Sequence, residues 1–389
     1  MKGLASLVAG AAFHGCAARA GRPATSLGPA APRLAWPDIR PELEIRTIVG
    51  LRPYRPSGFV VKAEKLGDSL LVHNYGHGGG GIALSWGTGE MAARLAHEAG
   101  IRDIGVIGCG AAGLSVSRLL QERGHTVSLY SREVPPDTTS CKAAGQCFPG
   151  PVFDRGRESP SFLARFVDAA RLSVSRFQIM VGPRYGVRWL PTYYMSVAPF
   201  VETGLTGTAS PLRAIMPDFE VLTPRQHPFP FEHVRRFASM FIDPGTYFPA
   251  VVEDFLGAGG RLVVQEFTSV EEVLRLPARL IVNCTGLGSK ALFGDGELVP
   301  IKGQLSVLQP QDDVRYATAG GGLYMFPRRD GIVLGGTHER GAWSLDPDEA
   351  ERTRILNGNA EVFAALRAPH HGWRQDPERG ALQAPGSRV

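Results

Sequence analysis

The chain has 389 residues, of which 43% are hydrophobic and 20% are charged, and its formal net charge is +5. This composition is typical of a globular protein with one large two-part domain or two domains. The basic residues are spread along the chain, which argues against a nucleic-acid-binding surface. The five cysteines have neither a CxxC pair nor zinc-ligand spacing, so reduced thiols are favoured over a disulfide framework or a metal site.

Residues 1–44 are predicted to form a flexible leader or a signal-like segment. Lys2 precedes a short apolar run that ends at Phe13, and Gly15 and Cys16 follow, an order similar to a secretory signal with a lipoprotein attachment site. The run is short, so a disordered leader is an equal alternative. The location therefore stays open between the cytoplasm and export with or without a lipid anchor. No other segment has the roughly 18 apolar residues that a membrane helix needs.

The first predicted strand, residues 45–50, leads into a stiff segment that carries two arginines. Pro53 and Pro56 keep the residues before them extended, so Arg52 and Arg55 are presented by a rigid backbone. A guanidinium fork matches the geometry of a carboxylate, which makes Arg52 a candidate carboxylate clamp. Two solvated arginines are the simpler alternative.

A glycine-rich stretch between residues 70 and 86 contains the first predicted ligand-binding unit. A short apolar strand, residues 70–72, enters a loop of five glycines and one histidine at residues 76–81. Helix-like apolar spacing then continues to about residue 99. A strand, a glycine loop and a helix together expose backbone N–H groups to an anionic or flat ligand.

A second unit of the same kind follows directly. Residues 104–107 read as a buried strand, residues 108–113 spell GxGxxG, and a helix follows. After the next strand, Glu133 lies about 20 residues past the last glycine, where a ribose-binding acid is expected. A GxGxxG in this context is a strong signal for a dinucleotide. The two units together favour a flavin dinucleotide. The small polar loop at residues 138–145 is either a further phosphate or flavin contact or a solvated turn.

The remaining chain is predicted to alternate between two domains. Residues 151–236 are rich in proline and aromatic residues and indicate a second, mixed domain. The predicted α/β fold is a Rossmann-like FAD-binding domain with a mixed α+β substrate domain. The predicted boundaries are residues 1–44 for the leader, 45–150 and 239–293 for the FAD-binding domain, 151–238 and 294–366 for the substrate domain, and 367–389 for a flexible tail.

Several segments together resemble the FAD-dependent D-amino-acid oxidase family. They are GLRPYRP and HNYGHGGGGIALSWG near the start, IGVIGCGAAGL, LIVNCTGLGSKAL, KGQLSVL and LYMFPRRDGIVLGGT. In that family the first two segments lie near the C-terminus. Here they precede the GxGxxG unit, so the sequence is similar to a circular permutant whose new termini fall between the 348–366 helix and the strand at residue 45.

The resemblance implies a site. It places the family's substrate arginine on Arg52, its active-site tyrosine on Tyr324, and the glycine whose carbonyl faces the substrate amine on Gly79. It places flavin contacts on Gly78, Gly79, Gly80, Gly81, Ile82, Ala83, Gly108, Gly110, Ala111, Ala112, Gly113, Arg132, Glu133, Thr139, Ser140, Gly145, Gln146 and Gly286.

The resemblance also implies an activity, which is oxidation of a D-amino acid by FAD and O2 to a 2-oxo acid, ammonia and hydrogen peroxide. Gly320 stands where some relatives have a second tyrosine, which leaves the preferred side chain open. The alternatives are a D-aspartate oxidase, for which Arg328 or Arg340 would supply a second cation, a glycine or secondary-amine oxidase, and a flavin-binding protein without turnover. The expected partners are the small substrate and O2, without nucleic acid or a membrane span, and a homodimer is an open expectation.

Overall fold

The computed structural model describes residues 33–366, which form two β-sheets with helices around them. The strands are β1 (Glu44–Tyr54), β2 (Val60–Leu66), β3 (Ser69–Tyr75), β4 (Asp103–Ile107), β5 (Thr126–Ser131), β6 (Val187–Ser196), β7 (Glu220–Leu222), β8 (His233–Ile242), β9 (Arg261–Val264), β10 (Leu280–Asn283), β11 (Val299–Leu308), β12 (Ala317–Gly320), β13 (Leu323–Arg328), β14 (Gly331–Gly335) and β15 (Glu339–Arg340). The α-helices are α1 (Gly81–Glu98), α2 (Ala111–Glu122), α3 (Pro160–Gln178), α4 (Pro244–Gly257), α5 (Val270–Leu274), α6 (Gly288–Leu292) and α7 (Glu349–Ala364).

The first sheet has six strands in the order β2-β3-β10-β4-β5-β9. All neighbours are parallel except β2 and β3. Every residue of β10 is buried, as expected for a central parallel strand covered on both faces. Helices α1 and α2 pack beside this sheet, and α3 packs against α1. The α/β fold class predicted from the sequence is confirmed.

The second sheet contains nine strands in the order β1-β11-β14-β13-β12-β6-β8-β7, and β15 pairs with β11. It is antiparallel apart from the pair of β12 and β6. Strand β1 belongs here and not with the FAD-binding strands, among which the sequence placed residues 45–54, because it pairs with β11 along its length. Strand β8 begins at His233 and likewise lies in this sheet, so the sheets divide the chain differently from the predicted domain boundaries.

The last part of the predicted leader is an ordered element. Leu34, Ile39 and Leu43 pack into a hydrophobic cluster with residues of α7. The Tyr316 hydroxyl donates to the carbonyl of Ala35 at 2.9 Å. Apolar burial and this hydrogen bond explain why residues 33–43 differ from the flexible segment predicted. The signal-like run, Cys16 and the tail at 367–389 lie outside the described residues.

A helix cap and a hydrogen bond between two helices stabilise the helices beside the sheets. Asp348 caps α7 by accepting from the amides of Ala350 and Glu351. Trp86 of α1 donates its indole N–H to the hydroxyl of Tyr247 in α4 at 2.8 Å. Within residues 33–366 no helix is long and apolar enough to span a bilayer.

Candidate active site and cofactor cleft

A cavity of about 1230 Å³ lies where the carboxyl ends of the parallel strands face the nine-stranded sheet. Ligands of open α/β sheets bind outside the carboxyl ends of the strands. The wall on the side of the six-stranded sheet is called the cofactor edge below and consists of residues 74–79, 81–82, 108–112 and 284–286. The opposite wall, called the clamp face, carries Arg52, Gly303 and Tyr324.

In the GxGxxG loop, glycines let the backbone of residues 108–113 pack closely against the neighbouring main chain. Gly108 has φ of +101°, and a Cβ there would overlap the carbonyl oxygen of Cys284. A Cβ on Gly113 would overlap the carbonyl oxygen of Gly108, so this glycine permits the approach of α2 to its strand. Gly110 is the N-cap of α2 and supplies no side-chain cap. The first turn of α2 therefore presents N–H groups toward the cavity, which suits a pyrophosphate.

The loop after β5 closes over the N-terminus of α2. A short 3₁₀ helix at Thr139–Lys142 carries Ser140, whose Oγ accepts from the amide of Ala111 at 3.0 Å. Gly145 has φ of +96° and its carbonyl accepts from Ile242 at 2.7 Å. This bond fixes the loop against β8. The predicted contacts Thr139, Ser140, Gly145 and Gln146 all line the cavity.

The first glycine loop forms a second approach to the same cavity. Gly78–Gly80 make a 3₁₀ turn immediately before α1, and the Gly79 amide donates to Pro151 at 3.0 Å. Gly78 has φ of +55°. His77 is buried beside this turn, where its Nε2 lies 2.9 Å from Thr88 Oγ1. Burial lowers the pKa of His77 to about 4, so its ring is neutral and holds the turn as an uncharged partner.

Asn74 tests whether these walls fit a polar cofactor. Its side chain is fully buried and lines the cavity, and its amide has no oxygen or nitrogen partner and only the weak Cys284 thiol beside it. A buried amide that is so poorly paired costs free energy unless a ligand satisfies it. Together with the N-terminus of α2, which has no capping side chain of its own, Asn74 fits a dinucleotide cofactor.

Arg132 and Glu133 lie at the outer end of the cofactor edge. Both line the cavity and both are partly exposed, and Arg132 bridges Glu133 and Glu266, each at 3.1 Å. These charges pair mainly with one another at the surface. Glu133 follows the second parallel strand, so it stands where the sequence predicted a ribose-binding acid.

The clamp face brings together Arg52 of β1 and Tyr324 of β13, which are separated by more than 270 residues. Both line the same cavity, and the Arg52 cation is close enough to act on the Tyr324 phenol. It also donates to the carbonyl of Thr337 at 3.3 Å. Burial raises the pKa of Tyr324, and the neighbouring Arg52 cation opposes that rise, so the phenol stays protonated at neutral pH. The pair offers a cation and a hydroxyl to a carboxylate.

Arg55, the other arginine of the stiff segment, has a different environment. Its guanidinium pairs with Asp295 at 2.8 Å and with Glu297 at 2.7 Å. It also donates to the carbonyl of Gly58. These bonds occupy its donors, so Arg55 ties the loop after β1 to the loop before β11, whereas Arg52 is the arginine that faces the cavity.

Most residues predicted to contact the flavin line the cavity, but three do not. Gly80, Ala83 and Gly113 lie behind the wall: a Cβ on Gly80 would meet Val152, Ala83 is buried, and Gly113 packs on Gly108. The predicted residues that do line it are Arg52, Gly78, Gly79, Gly81, Ile82, Gly108, Gly110, Ala111, Ala112, Arg132, Glu133, Thr139, Ser140, Gly145, Gln146, Gly286 and Tyr324.

Sequence reasoning missed several residues at the cavity. Asn74, Gly303 and His338 line it without having been predicted. The signal for Asn74 was available, because it directly follows a predicted strand and precedes the glycine loop. His338 lies near Arg52, and partial desolvation together with that cation lowers its pKa, so it is neutral at pH 7. Nothing in its local sequence indicated this position.

The family model for the FAD-dependent oxidoreductases termed DAO matches residues 103–379. The D-amino-acid oxidase of Rubrobacter xylanophilus is 31% identical over 270 residues, which cover 67% of this chain and 77% of that protein. The D-amino-acid oxidase of Streptomyces coelicolor is 30% identical over 290 residues, 72% of this chain and 85% of that protein. The D-aspartate oxidase of Homo sapiens is 27% identical over 301 residues, 74% and 82% of the two chains.

Solved structures show the same fold. The glycine oxidase of Bacillus cereus aligns with a TM-score of 0.53 at 18% identity and covers 68% of this chain and 78% of its own. The glycine oxidase of Geobacillus kaustophilus aligns with a TM-score of 0.51 at 16% identity, covering 68% and 80%. By the match over residues 103–379 and these relatives, the chain belongs to the DAO family of FAD-dependent oxidoreductases, and its cofactor is FAD.

Proposed function

We propose that this protein is an FAD-dependent oxidase that converts D-amino acids to 2-oxo acids, with release of ammonia and hydrogen peroxide. The observation that carries the proposal is the pair formed by the Arg52 guanidinium and the Tyr324 phenol on the clamp face, opposite the cofactor edge. Relatives at 30% and 31% identity named D-amino-acid oxidase support the substrate class.

The chain's own residues bind and orient the substrate. Arg52 and Tyr324 hold the carboxylate by charge-assisted hydrogen bonds. The carbonyl of Gly79, on the facing wall, accepts from the substrate amine. These attachments fix which face of the α-carbon meets the cofactor and so select one enantiomer. FAD, when bound, would supply the redox chemistry, a two-electron oxidation of the substrate amine to an imine in which O2 takes up the two electrons and two protons as hydrogen peroxide. Water then hydrolyses the released imino acid.

An acidic substrate, as for the D-aspartate oxidase relative, is the second candidate, and the two arginines predicted for it do not support it. The Arg328 side chain is nearly buried and bonds to Asp330 and to the carbonyl of Ala143. Arg340 pairs with Asp154 at 3.0 Å. Neither lines the cavity. A second cation for a side-chain carboxylate is therefore not supplied by these two residues.

Peroxide release from a panel of D-amino acids tests the proposed function. The FAD-loaded protein should release peroxide and ammonia from D-alanine but not from L-alanine. D-aspartate and glycine in the same panel separate the two alternative oxidases. A yellow protein that releases no peroxide from any member would support the flavin-binding protein without turnover and contradict the proposal.

We further propose that the family's segments stand here in circularly permuted order. The family model begins at residue 103, yet β1, β3 and α1 before it supply Arg52 and the first glycine loop to the same cavity. The two ends of the described chain are close, since Ile39 and Leu366 share one hydrophobic cluster and Arg352 pairs with Glu44 at 2.5 Å. Termini at nearby surface connections tolerate such a rearrangement.

A rearranged chain tests the permutation. Residues 103–366 would be followed by a flexible linker and then by residues 38–100. This protein should fold, bind FAD and melt within a few degrees of the natural chain. Failure to fold, with the linker varied in length, would count against the permutation.

A further inference from the structure

Arg52 and Tyr324 reach each other across two intervening strands. The nine-stranded sheet runs β1-β11-β14-β13, so the two residues lie three strand spacings apart across the sheet, which is about 14 Å at about 4.8 Å per spacing. They are also offset along β11, because Arg52 lies opposite Ile301 and Tyr324 lies level with Leu305. The Arg52 cation is nevertheless close enough to act on the Tyr324 phenol. Both side chains must therefore extend flat along the sheet and not stand upright from it.

The strand positions beneath both side chains are glycines. A Cβ on Gly303 of β11 would overlap Nη2 of Arg52 and lie 2.6 Å from its Cζ and Nη1. A Cβ on Gly335 of β14 would overlap the Cζ and hydroxyl oxygen of Tyr324. Real side chains do not approach a Cβ so closely. The absence of a side chain at Gly303 and Gly335 therefore leaves the space that the Arg52 guanidinium and the Tyr324 phenol occupy.

The register explains why these positions matter. Gly335 is directly opposite Tyr324, so its Cβ would point to the same face as the phenol. Gly303 is the diagonal neighbour of Arg52, whose direct partner is Ile301. Neither glycine has positive φ, so the backbone at both positions accepts an L side chain and the glycine is needed for space alone.

We infer that Gly303 and Gly335 are positioning residues that let Arg52 and Tyr324 lie flat across β11 and β14 and so form one carboxylate clamp. The inference rests on the proposed function, because it explains how the proposed clamp is held. Neither glycine touches the substrate. A methyl group at either position lifts the side chain above it, separates the cation from the phenol and weakens carboxylate binding, while the cofactor edge is unaffected.

The test compares Gly303→Ala and Gly335→Ala with the natural FAD-loaded protein. Sodium propionate, a carboxylate without an amine, is titrated while the flavin absorbance is followed. Gly303→Ala should raise the propionate Kd at least tenfold and Gly335→Ala at least threefold. KM for D-alanine should rise by similar factors, kcat should change less, and the flavin spectrum without ligand should be unchanged. Gly257→Ala, at an exposed helix end with open space around it, is the matched control and should change neither Kd nor KM.

A double-mutant cycle separates positioning from general damage to the sheet. In an Arg52→Lys background the planar guanidinium is absent, so Gly303→Ala should change the propionate Kd less than twofold. A second cycle uses Arg52→Ala as the background, is measured by melting temperature and requires no turnover. In it, Gly303→Ala should lower the melting temperature of the natural protein more than it lowers the melting temperature of Arg52→Ala. Equal effects in both backgrounds, or a propionate Kd within twofold of the natural value for Gly303→Ala, would overturn the inference.

Two further outcomes keep this inference distinct from the proposed function. If Gly303→Ala does not fold, Arg52→Ala/Gly303→Ala should fold because the clashing side chain is gone, and its failure would overturn the inference. If the natural protein binds propionate and shows the coupling but oxidises no D-amino acid, the proposed function fails while the positioning role stands.

Discussion

The cofactor edge and the clamp face are two walls of one cavity, and the binding roles proposed for them rest on opposite kinds of group. The cofactor edge uses backbone, with glycines at Gly108, Gly110 and Gly113 that follow one another within a single strand–helix connection. The clamp face uses two side chains, Arg52 and Tyr324, from strands that share one sheet only because β1 pairs with β11. A backbone site is local in sequence, whereas a side-chain site depends on how distant strands pair.

The largest effect is expected from a substitution at the cofactor edge that prevents FAD from binding. Gly110→Val places a branched side chain at the N-cap of α2, where even a Cβ would lie 3.0 Å from Ser140 Oγ. We expect complete loss of FAD, because the added groups fill the space that the pyrophosphate needs. The absorbance of the purified protein in the flavin bands measures this.

Gly296→Val is the control for Gly110→Val. Gly296 is exposed, has no positive φ and has open space where its Cβ would be, so its variant should remain yellow. A yellow Gly110→Val protein with normal FAD content would contradict the position given to the pyrophosphate.

Acid should weaken the cofactor edge through His77. Its pKa is about 4 in the folded protein against 6.5 for an ordinary histidine, so the unfolded chain binds the proton more readily. The free energy of unfolding therefore keeps its full value above pH 6.5 and decreases as the pH falls from 6.5 to 4, by about 3 kcal/mol in total. Between pH 7 and pH 4 the melting temperature should fall. Flavin fluorescence should rise over the same interval as the cofactor is released.

His77→Gln removes the titrating ring and should flatten this pH dependence, even if the variant is less stable at pH 7. His97→Gln, at an exposed surface position, should leave the pH dependence of the natural protein intact. An unchanged slope in His77→Gln would assign the acid effect to other groups.

The same contrast explains what the sequence could predict. The β4–α2–β5 unit and the GxGxxG loop were predicted because their signals lie within about 30 consecutive residues. The membership of β1 in the nine-stranded sheet was missed, because apolar alternation identifies a strand but not its partner. Gly303 and Gly335 were missed for the same reason: their neighbours Arg52 and Tyr324 are set by sheet order alone.

The flavin contacts show a finer form of this limit. Gly113 belongs to the predicted motif, but the structure uses it for the close packing of α2 on Gly108 and not for the cavity wall. Gly80 and Ala83 were carried over with their neighbours, although a helical turn points successive residues in different directions. Asn74 precedes the glycine loop and its position was readable from the sequence, but the poor pairing of its buried amide became visible only in the structure.

On the clamp face, Arg52 and Arg55 offer a matched pair from one segment. Arg52→Ala removes the cation that faces the cavity and should raise KM for D-alanine by roughly 10- to 100-fold, since a hydrogen bond to a charged group contributes about 1.5–3 kcal/mol. FAD should stay bound. Steady-state kinetics with the flavin spectrum as a check measure both.

Arg55→Ala breaks the ion pairs with Asp295 and Glu297 and leaves two partly buried carboxylates without their partner. It should lower the melting temperature by several degrees and leave KM nearly unchanged. If Arg55→Ala raised KM as much as Arg52→Ala does, the assignment of the clamp to Arg52 would be wrong.

The smallest expected effect is that of Tyr324→Phe, and it decides whether the phenol binds or reacts. Burial holds the pKa of Tyr324 above its usual value near 10, so the hydroxyl is a neutral donor through the physiological range. Its removal costs one hydrogen bond, about 0.5–1.5 kcal/mol, or roughly a 2- to 12-fold rise in KM with kcat preserved. Tyr316→Phe, which also loses one buried hydrogen bond but lies in the α7 cluster, should leave KM unchanged. A fall in kcat of more than a hundredfold in Tyr324→Phe would mean that the phenol takes part in the chemical step, because loss of a neutral hydrogen bond to bound substrate does not account for so large a change.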